Sequence, residues 1–181
     1  MDILETLYQG FVTDRRIAAS IKGKRRLYEL VDIKGAVAAI VVDARGFIGL
    51  VYQFRPAADQ FTFEIPAGTI DNEKGPREIL IDEIGEELSI NPKTDIVYMT
   101  QDPILSYYMM VGVSNGKSDI YYARVTAQHN LEHVDDQDII GTKWVDIDTL
   151  GKLIREKLVV DEKTILAYLY LKSHPELILP K

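Results

Sequence analysis

Three carboxylates, Glu83, Glu86 and Glu87, fall within about 1.3 helical turns of one another. At roughly 100° per residue, Glu83 and Glu87 project from one edge of a helix, while Glu86 lies further round. Paired carboxylates on one edge suit a hard divalent cation. Magnesium takes one or two of them and completes its shell with water, a backbone carbonyl and substrate phosphate. The same residues equally suit a solvated helix face, because glutamate is common and favours helices. The chain has no cysteine and three histidines. Thiolate catalysis and disulfides are therefore excluded, and three scattered histidines argue against a histidine-rich centre, which leaves oxygen as the expected metal ligand.

The elements that position these residues are readable from patterning. Pro76 is preorganised for a first helical turn, and Leu80, Ile84 and Leu88 recur at every fourth position, which predicts a helix over 76–89 with a buried stripe. Upstream, Ala36–Val42 and residues 47–54 read as strands of a buried hairpin around the turn Asp43-Ala44-Arg45-Gly46. A short strand over 61–65 follows. Pro66-Ala67-Gly68 then breaks the regular pattern before a polar loop that runs to Gly75. Downstream, 96–100, 118–125 and 141–145 read as strands, while 149–157 and Glu162–Ser173 carry helical spacing with Asp148 and Asp161 as N-caps. Residues 7–33 alternate polar and apolar positions around Gly10, Gly23 and a basic stretch over 22–26, the pattern of short antiparallel strands. The chain reads as mixed α/β.

At 181 residues, with 46% hydrophobic and 27% charged positions, one domain with a sizeable core is expected, and no repeat or linker divides it. A net charge of −7 argues against broad nucleic-acid or anionic-lipid binding but allows a small nucleotide in a locally basic pocket. The opening Met-Asp-Ile-Leu-Glu-Thr lacks signal-peptide character, and the longest aliphatic run, Ala36–Val42, is too short to span a bilayer. The expected compartment is the cytoplasm, without membrane attachment.

Read without gaps from Gly68, the segment GTIDNEKGPREILIDEIGEELSI resembles the Nudix box: Gly, five residues, Glu, seven residues, then Arg-Glu-aliphatic-any-Glu-Glu-any-Gly-aliphatic. Gly68, Glu83, Ile84, Glu86, Glu87 and Ile90 match it. Lys74 stands where the loop Glu belongs, Asp82 replaces the Arg, and Ser89 replaces the helix-ending Gly. The resemblance covers nearly the whole chain and is closest to the ADP-ribose pyrophosphatase branch. Val51-Tyr52-Gln53-Phe54-Arg55 looks like that branch's Arg-bearing strand, and Glu64-Ile65-Pro66-Ala67-Gly68 like its turn before the box. Asp161-Glu162-Lys163-Thr164-Ile165-Leu166 looks like its Asp-any-Lys-Thr helix. Gly112-Val113-Ser114-Asn115 is similar to a family loop that normally continues with Glu, where this chain has Gly116.

The resemblance implies a Nudix fold, an α/β architecture with a mixed β-sheet sandwiched between helices and a small N-terminal antiparallel strand region. Residues 1–34 would form that region, a dimer-exchange element, and 35–181 the hydrolase domain, giving a homodimer. It implies Mg2+ or Mn2+ bound by Glu83 and Glu87, with Glu86 assisting and the Ala67 carbonyl as a further ligand. Arg55 would grip a phosphate beside Glu64 in substrate binding. The activity implied is cleavage of ADP-ribose or a related nucleoside diphosphate sugar to a nucleoside monophosphate and a sugar phosphate.

The family's water-activating glutamate falls in a late loop, here His133-Val134-Asp135-Asp136-Gln137-Asp138. Asp135 is the candidate base, with Asp136 and Asp138 as competitors. Tyr8, Phe11, Tyr28, Tyr107 and Tyr108 are candidates for stacking on the nucleotide base, and each also suits core packing. Lys74, Asp82, Gly116 and Gln137 favour a second reading, a catalytically weakened nucleotide-binding or regulatory module. Asp82 also adjoins Glu83 and precedes Glu86 by four positions. On sequence spacing alone it adds like-charge repulsion of roughly 0.2–0.5 kcal/mol, which a bound cation would relieve.

Overall fold

The structure, a computed structural model, describes residues 2–70, 73–128, 130–131 and 139–180. The opening alternation forms three antiparallel strands in a sheet of their own: β1 (Asp2–Gln9), β2 (Thr13–Ile21) and β3 (Lys24–Asp32). Lys22 and Gly23, both at positive φ, make the tight turn between β2 and β3. After them come β4 (Ala36–Val42), β5 (Ile48–Arg55), β6 (Gln60–Glu64), β7 (Ala67–Thr69), α1 (Pro76–Glu87) and the single turn α2 (Pro92–Asp95). The chain continues through β8 (Ile96–Met99), β9 (Leu105–Tyr108), β10 (Lys117–Val125), β11 (Ile139–Val145), α3 (Ile147–Arg155), α4 (Glu162–Ser173) and a 3-10 turn, Pro175–Ile178. Among the described residues, no helix is long and apolar enough to cross a membrane.

β4 to β11 form one mixed sheet with the order β11-β5-β4-β10-β8. β6 is added to β5, β7 to β4 and β9 to β10. β10 runs parallel to β4, and the other pairings are antiparallel. Because successive strand side chains point to opposite faces, β4 feeds two cores. Val37, Ala39 and Val41 pack with Leu80, Ile84 and Leu88 around α1. Ala38, Ile40 and Val42 pack with Leu150 and Leu153 of α3 and Ala167 and Leu171 of α4. The sheet is thus sandwiched between helices, as expected of the Nudix fold.

The hairpin expected around residue 44 keeps its turn but not its ladder. β4 and β5 pair at Val42↔Ile48 and then part. Along the rest of its length β5 takes β6 as its neighbour, from Val51↔Glu64 to Arg55↔Gln60. β4 takes β7, from Ala36↔Thr69 to Ala38↔Ala67. Ile65 and Pro66 therefore carry the chain across the gap. α4 fixes this crossing, because the Ile65 N–H donates to Thr164 Oγ1 at 2.9 Å.

Other differences are local. Residues 67–69, where the sequence pattern breaks, form strand β7. Asp146, not Asp148, caps α3 by accepting from the Thr149 N–H at 2.7 Å, so the helix starts two residues before the expected position. Asp161 caps α4 as expected.

α1 ends in a Schellman motif. Ile90 N–H donates to Gly85 O at 3.1 Å and Ser89 N–H to Glu86 O at 3.4 Å. That geometry places Ser89 at φ 53°, in the left-handed region that favours glycine. Ser89→Gly should relieve this strain, offset in part by the extra freedom of glycine in the unfolded chain. A net gain of about 0.5–1 kcal/mol, read as a rise of roughly 1–4 °C in Tm, is expected. A lower Tm for the variant would show that the serine hydroxyl contributes more than the backbone strain costs.

Candidate active site

The gap between β4 and β5 opens into a cleft of roughly 230 Å³ lined by residues from five strands and a helix. Ala36 and Gly68 line it together with Arg55 and Lys163, and β9 and β10 add Tyr107 and Ser118.

Glu64 organises one wall. Its carboxylate, 1% exposed at the end of β6, receives Arg55 Nε at 2.7 Å and Nη2 at 2.6 Å in a bidentate pair. Lys163 Nζ reaches the same carboxylate at 2.5 Å and also contacts Asp161 Oδ1 at 2.8 Å. Asp161 meanwhile accepts from Thr164 N–H and Oγ1, so the α4 cap and the cleft charges form one network. Burial pushes the Glu64 carboxyl up, but the Arg55 hydrogen bonds and the charge and hydrogen bond of Lys163 outweigh it and hold the group below the usual carboxylate range. The bond to Glu64, opposed by burial and aided by the charges of Glu64, Asp161 and Glu87, raises Arg55 in turn. The Arg55 side chain stays partly exposed and lines the cleft. Among the described residues, no acceptor other than Glu64 engages its guanidinium.

β7 contributes Ala67, Gly68 and Thr69 to the lining, and α1 contacts β7 through two of its glutamates. Glu87 is buried, and its Oε2 accepts from the Ala67 N–H at 3.0 Å. Glu83 is half-buried and folds over Gly68: a Cβ at residue 68 would lie 2.6 Å from Glu83 Cγ and 2.8 Å from Cδ. Gly68 is therefore required by close approach. Glu86 points to solvent, further round the helix.

No three carboxylates or histidines converge into a ready-made cage among the described residues. The donor set still fits magnesium, which needs only one or two protein carboxylates when substrate phosphate and water supply the remainder.

Of the five candidate aromatic residues, Tyr107 lines the cleft. Burial pushes its phenol up to about 12, against a lowering hydrogen bond to Ser118. Tyr8 and Tyr28 are exposed on the N-terminal sheet, Phe11 in the connection between β1 and β2, and Tyr108 on β9. Asp135, with Asp136, Gln137 and Asp138, lies outside the described residues. Lys163 is among the cleft residues that sequence reasoning did not assign, although its signal was present in the Asp-any-Lys-Thr pattern that opens α4.

The NUDIX domain model matches residues 32–169, well over half of the chain, and the chain belongs to the Nudix family. Members generally use divalent metals such as Mg2+. The chain is 26% identical over 171 residues to the ADP-ribose pyrophosphatase of Bacillus subtilis (strain 168), covering 93% of this chain and 89% of that protein. It is also 26% identical over 151 residues to the methanol dehydrogenase activator of Bacillus methanolicus, covering 83% and 78%. A CMP-5'-(N-acetyl-N-hydroxy-3-aminopropyl)phosphonate hydrolase of Streptomyces rubellomurinus (strain ATCC 31215) is 24% identical over 152 residues, covering 78% and 66%.

The folded-state depression of Glu64 fixes the sign of its pH effect. Its stabilisation is present above the unfolded-state value and is lost as pH falls through the folded one. Glu64→Gln should cost roughly 3 kcal/mol at neutral pH, the low end for a broken buried pair because Arg55 keeps access to water. The difference in Tm between parent and variant should narrow below about pH 4. A difference that stays constant from pH 7 to pH 3 would remove Glu64 from the acid-labile part of the fold.

Proposed function

We propose that this chain is a divalent-metal-dependent pyrophosphohydrolase that cleaves ADP-ribose or a related nucleoside diphosphate sugar to a nucleoside monophosphate and a sugar phosphate. The observation that carries the reading is the juxtaposition at β7: Arg55 and Lys163, both held by Glu64, line a cleft together with Ala67 and Gly68, the residues that Glu87 and Glu83 of α1 contact. A diphosphate concentrates negative charge, so it needs both the basic side chains and a bound cation.

Arg55 binds a phosphate with the N–H groups that Glu64 leaves available, its planar fork held at a fixed angle by the bidentate pair. Lys163 adds positive charge deeper in the same wall. Glu83 and Glu87, with Glu86 assisting and the Ala67 carbonyl as a further ligand, would hold Mg2+ or Mn2+, which would supply charge neutralisation at the phosphates and activation of water. Asp135 accepts the proton of the attacking water. Tyr107 offers the nucleotide an aromatic face at the cleft edge.

Residues 1–34 serve as the exchange element of a homodimer. In support, β1 is exposed along its whole length, and Ile3, Leu4, Leu7 and Phe11 present large apolar surface, Phe11 at 90% exposure. The enzyme would act in the cytoplasm, without nucleic acid or membrane as partner.

A regulatory reading is kept by one observation, the similarity over most of the chain to a protein named as an activator of methanol dehydrogenase. Incubation with a panel of nucleoside diphosphate sugars and Mg2+ or Mn2+, with product separation and parallel calorimetry, decides between the two. Binding without products favours the module.

On the enzymatic reading, Glu83→Gln and Glu87→Gln should each lower turnover at least roughly tenfold, about 1.4 kcal/mol of barrier. Equal activity of both variants and the parent at limiting metal would exclude these residues. Arg55→Ala should chiefly raise KM, because its phosphate partner is present before and after attack. An unchanged KM with a reduced kcat would reassign Arg55 to transition-state stabilisation.

A further inference from the structure

Lys74 and Asp82 are two departures from the box pattern, and the structure brings them together: Lys74 Nζ lies 2.5 Å from Asp82 Oδ2. The pattern has an acid at the loop position and a base at the helix position, whereas this chain has a base and then an acid. Either reversal alone would place like charges in contact. We propose that Lys74 and Asp82 form a charge-reversed positioning pair that fastens the loop after β7 onto α1 and thereby holds Glu83 in its working orientation. This rests on the reading of α1 as the metal-binding helix.

The local geometry supports it. Lys74 immediately precedes Gly75, the N-cap of α1, whose N–H donates to the Glu78 carboxylate at 3.1 Å. Pro76 at the first helical position stiffens the same join. The loop end is therefore fixed, and Lys74 reaches forward along the helix to Asp82, next in sequence to Glu83. Glu83 in turn packs over Gly68, the residue from which the loop departs. The ion pair and the cap hold one end of the loop, and the Glu83–Gly68 contact holds the strand from which it departs. The repulsion expected between Asp82 and its helix neighbours is met by a cation from across the loop, which sequence spacing along the helix does not reveal.

A charge-swap cycle with Lys74→Glu, Asp82→Arg and the double variant tests the pair. The readouts are Mn2+ affinity without substrate, from the electron paramagnetic resonance of free Mn2+, and the metal-free Tm. By charge alone, Lys74→Glu should tighten Mn2+, since it adds negative charge beside Glu83. Lost positioning predicts the opposite sign, a weakening of at least about threefold. The double variant should return to within about twofold of the parent in affinity, and should recover the Tm that both single variants lose. Tighter binding by Lys74→Glu, or effects on Tm that simply add in the double variant, overturns the positioning pair. A parent protein that leaves Mn2+ free overturns the metal-site reading itself, and is told apart because the failure appears before any substitution.

Discussion

A buried carboxylate cannot be left without counter-charge, and Glu64 is such a group at the point where the sheet divides. Arg55 from β5 and Lys163 from α4 both turn inward to it, and Asp161 takes up the second face of Lys163. Three elements are thereby tied at the mouth of the cleft. An apolar cluster of similar volume would serve stability as well or better. What the ionic arrangement provides instead is orientation: the guanidinium plane is fixed by two parallel hydrogen bonds while its outer edge stays open to the cleft. The parting of β4 from β5 belongs to the same logic. Had the two strands paired along their length, the space occupied by Ile65, Pro66 and β7 would not exist, and Arg55 would have no cleft to face.

Much of this was legible in the sequence, and the legible parts share a physical character. β4 and α4 fall at their expected limits, the one a continuous aliphatic run and the other an apolar-spaced segment behind a capping aspartate. The separation of Glu83 and Glu87 from Glu86 follows from helical geometry alone and is found as expected. What was not legible depends on partners distant in sequence. β7 and β9 are three and four residues long and exist because β4 and β10 offer them an edge. Asp146 and Asp148 flank one helix start with identical chemistry, and only the backbone path decides which side chain meets the Thr149 N–H. The pairing of Lys163 with Glu64 depends on α4 packing against β6, and that of Lys74 with Asp82 on a contact between residues eight apart that helical spacing does not reveal.

The departures from the box pattern are better understood as local structural solutions than as decay. At Ser89 the backbone keeps the left-handed conformation that the pattern's glycine provides freely, so the helix still ends in the same hydrogen-bond motif. At Lys74 and Asp82 the charges are exchanged but still opposite. Each change leaves in place the geometry that brings Glu83 and Glu87 against β7.

Gly116 extends that reasoning to the far side of the cleft, where the resembling loop carries a glutamate. A Cβ at residue 116 would overlap Ile33 and lie 3.1 Å from Met109 Cε, so a side chain there would need the volume that Ile33 fills. Ile33 follows β3 directly, and the same junction is fastened by the Val31 N–H to Val113 O at 2.8 Å and by Asn115 Nδ2 to Asp32 Oδ1 at 2.7 Å. Met109 in turn lines the cleft beside Tyr107. In this chain the position of the acidic side chain is used instead to seat the end of the N-terminal sheet against the cleft wall. The end of that sheet and the cleft wall therefore share one packed junction, formed by Ile33, the backbone of Gly116 and Met109, which a glutamate at 116 could not enter without displacing Ile33.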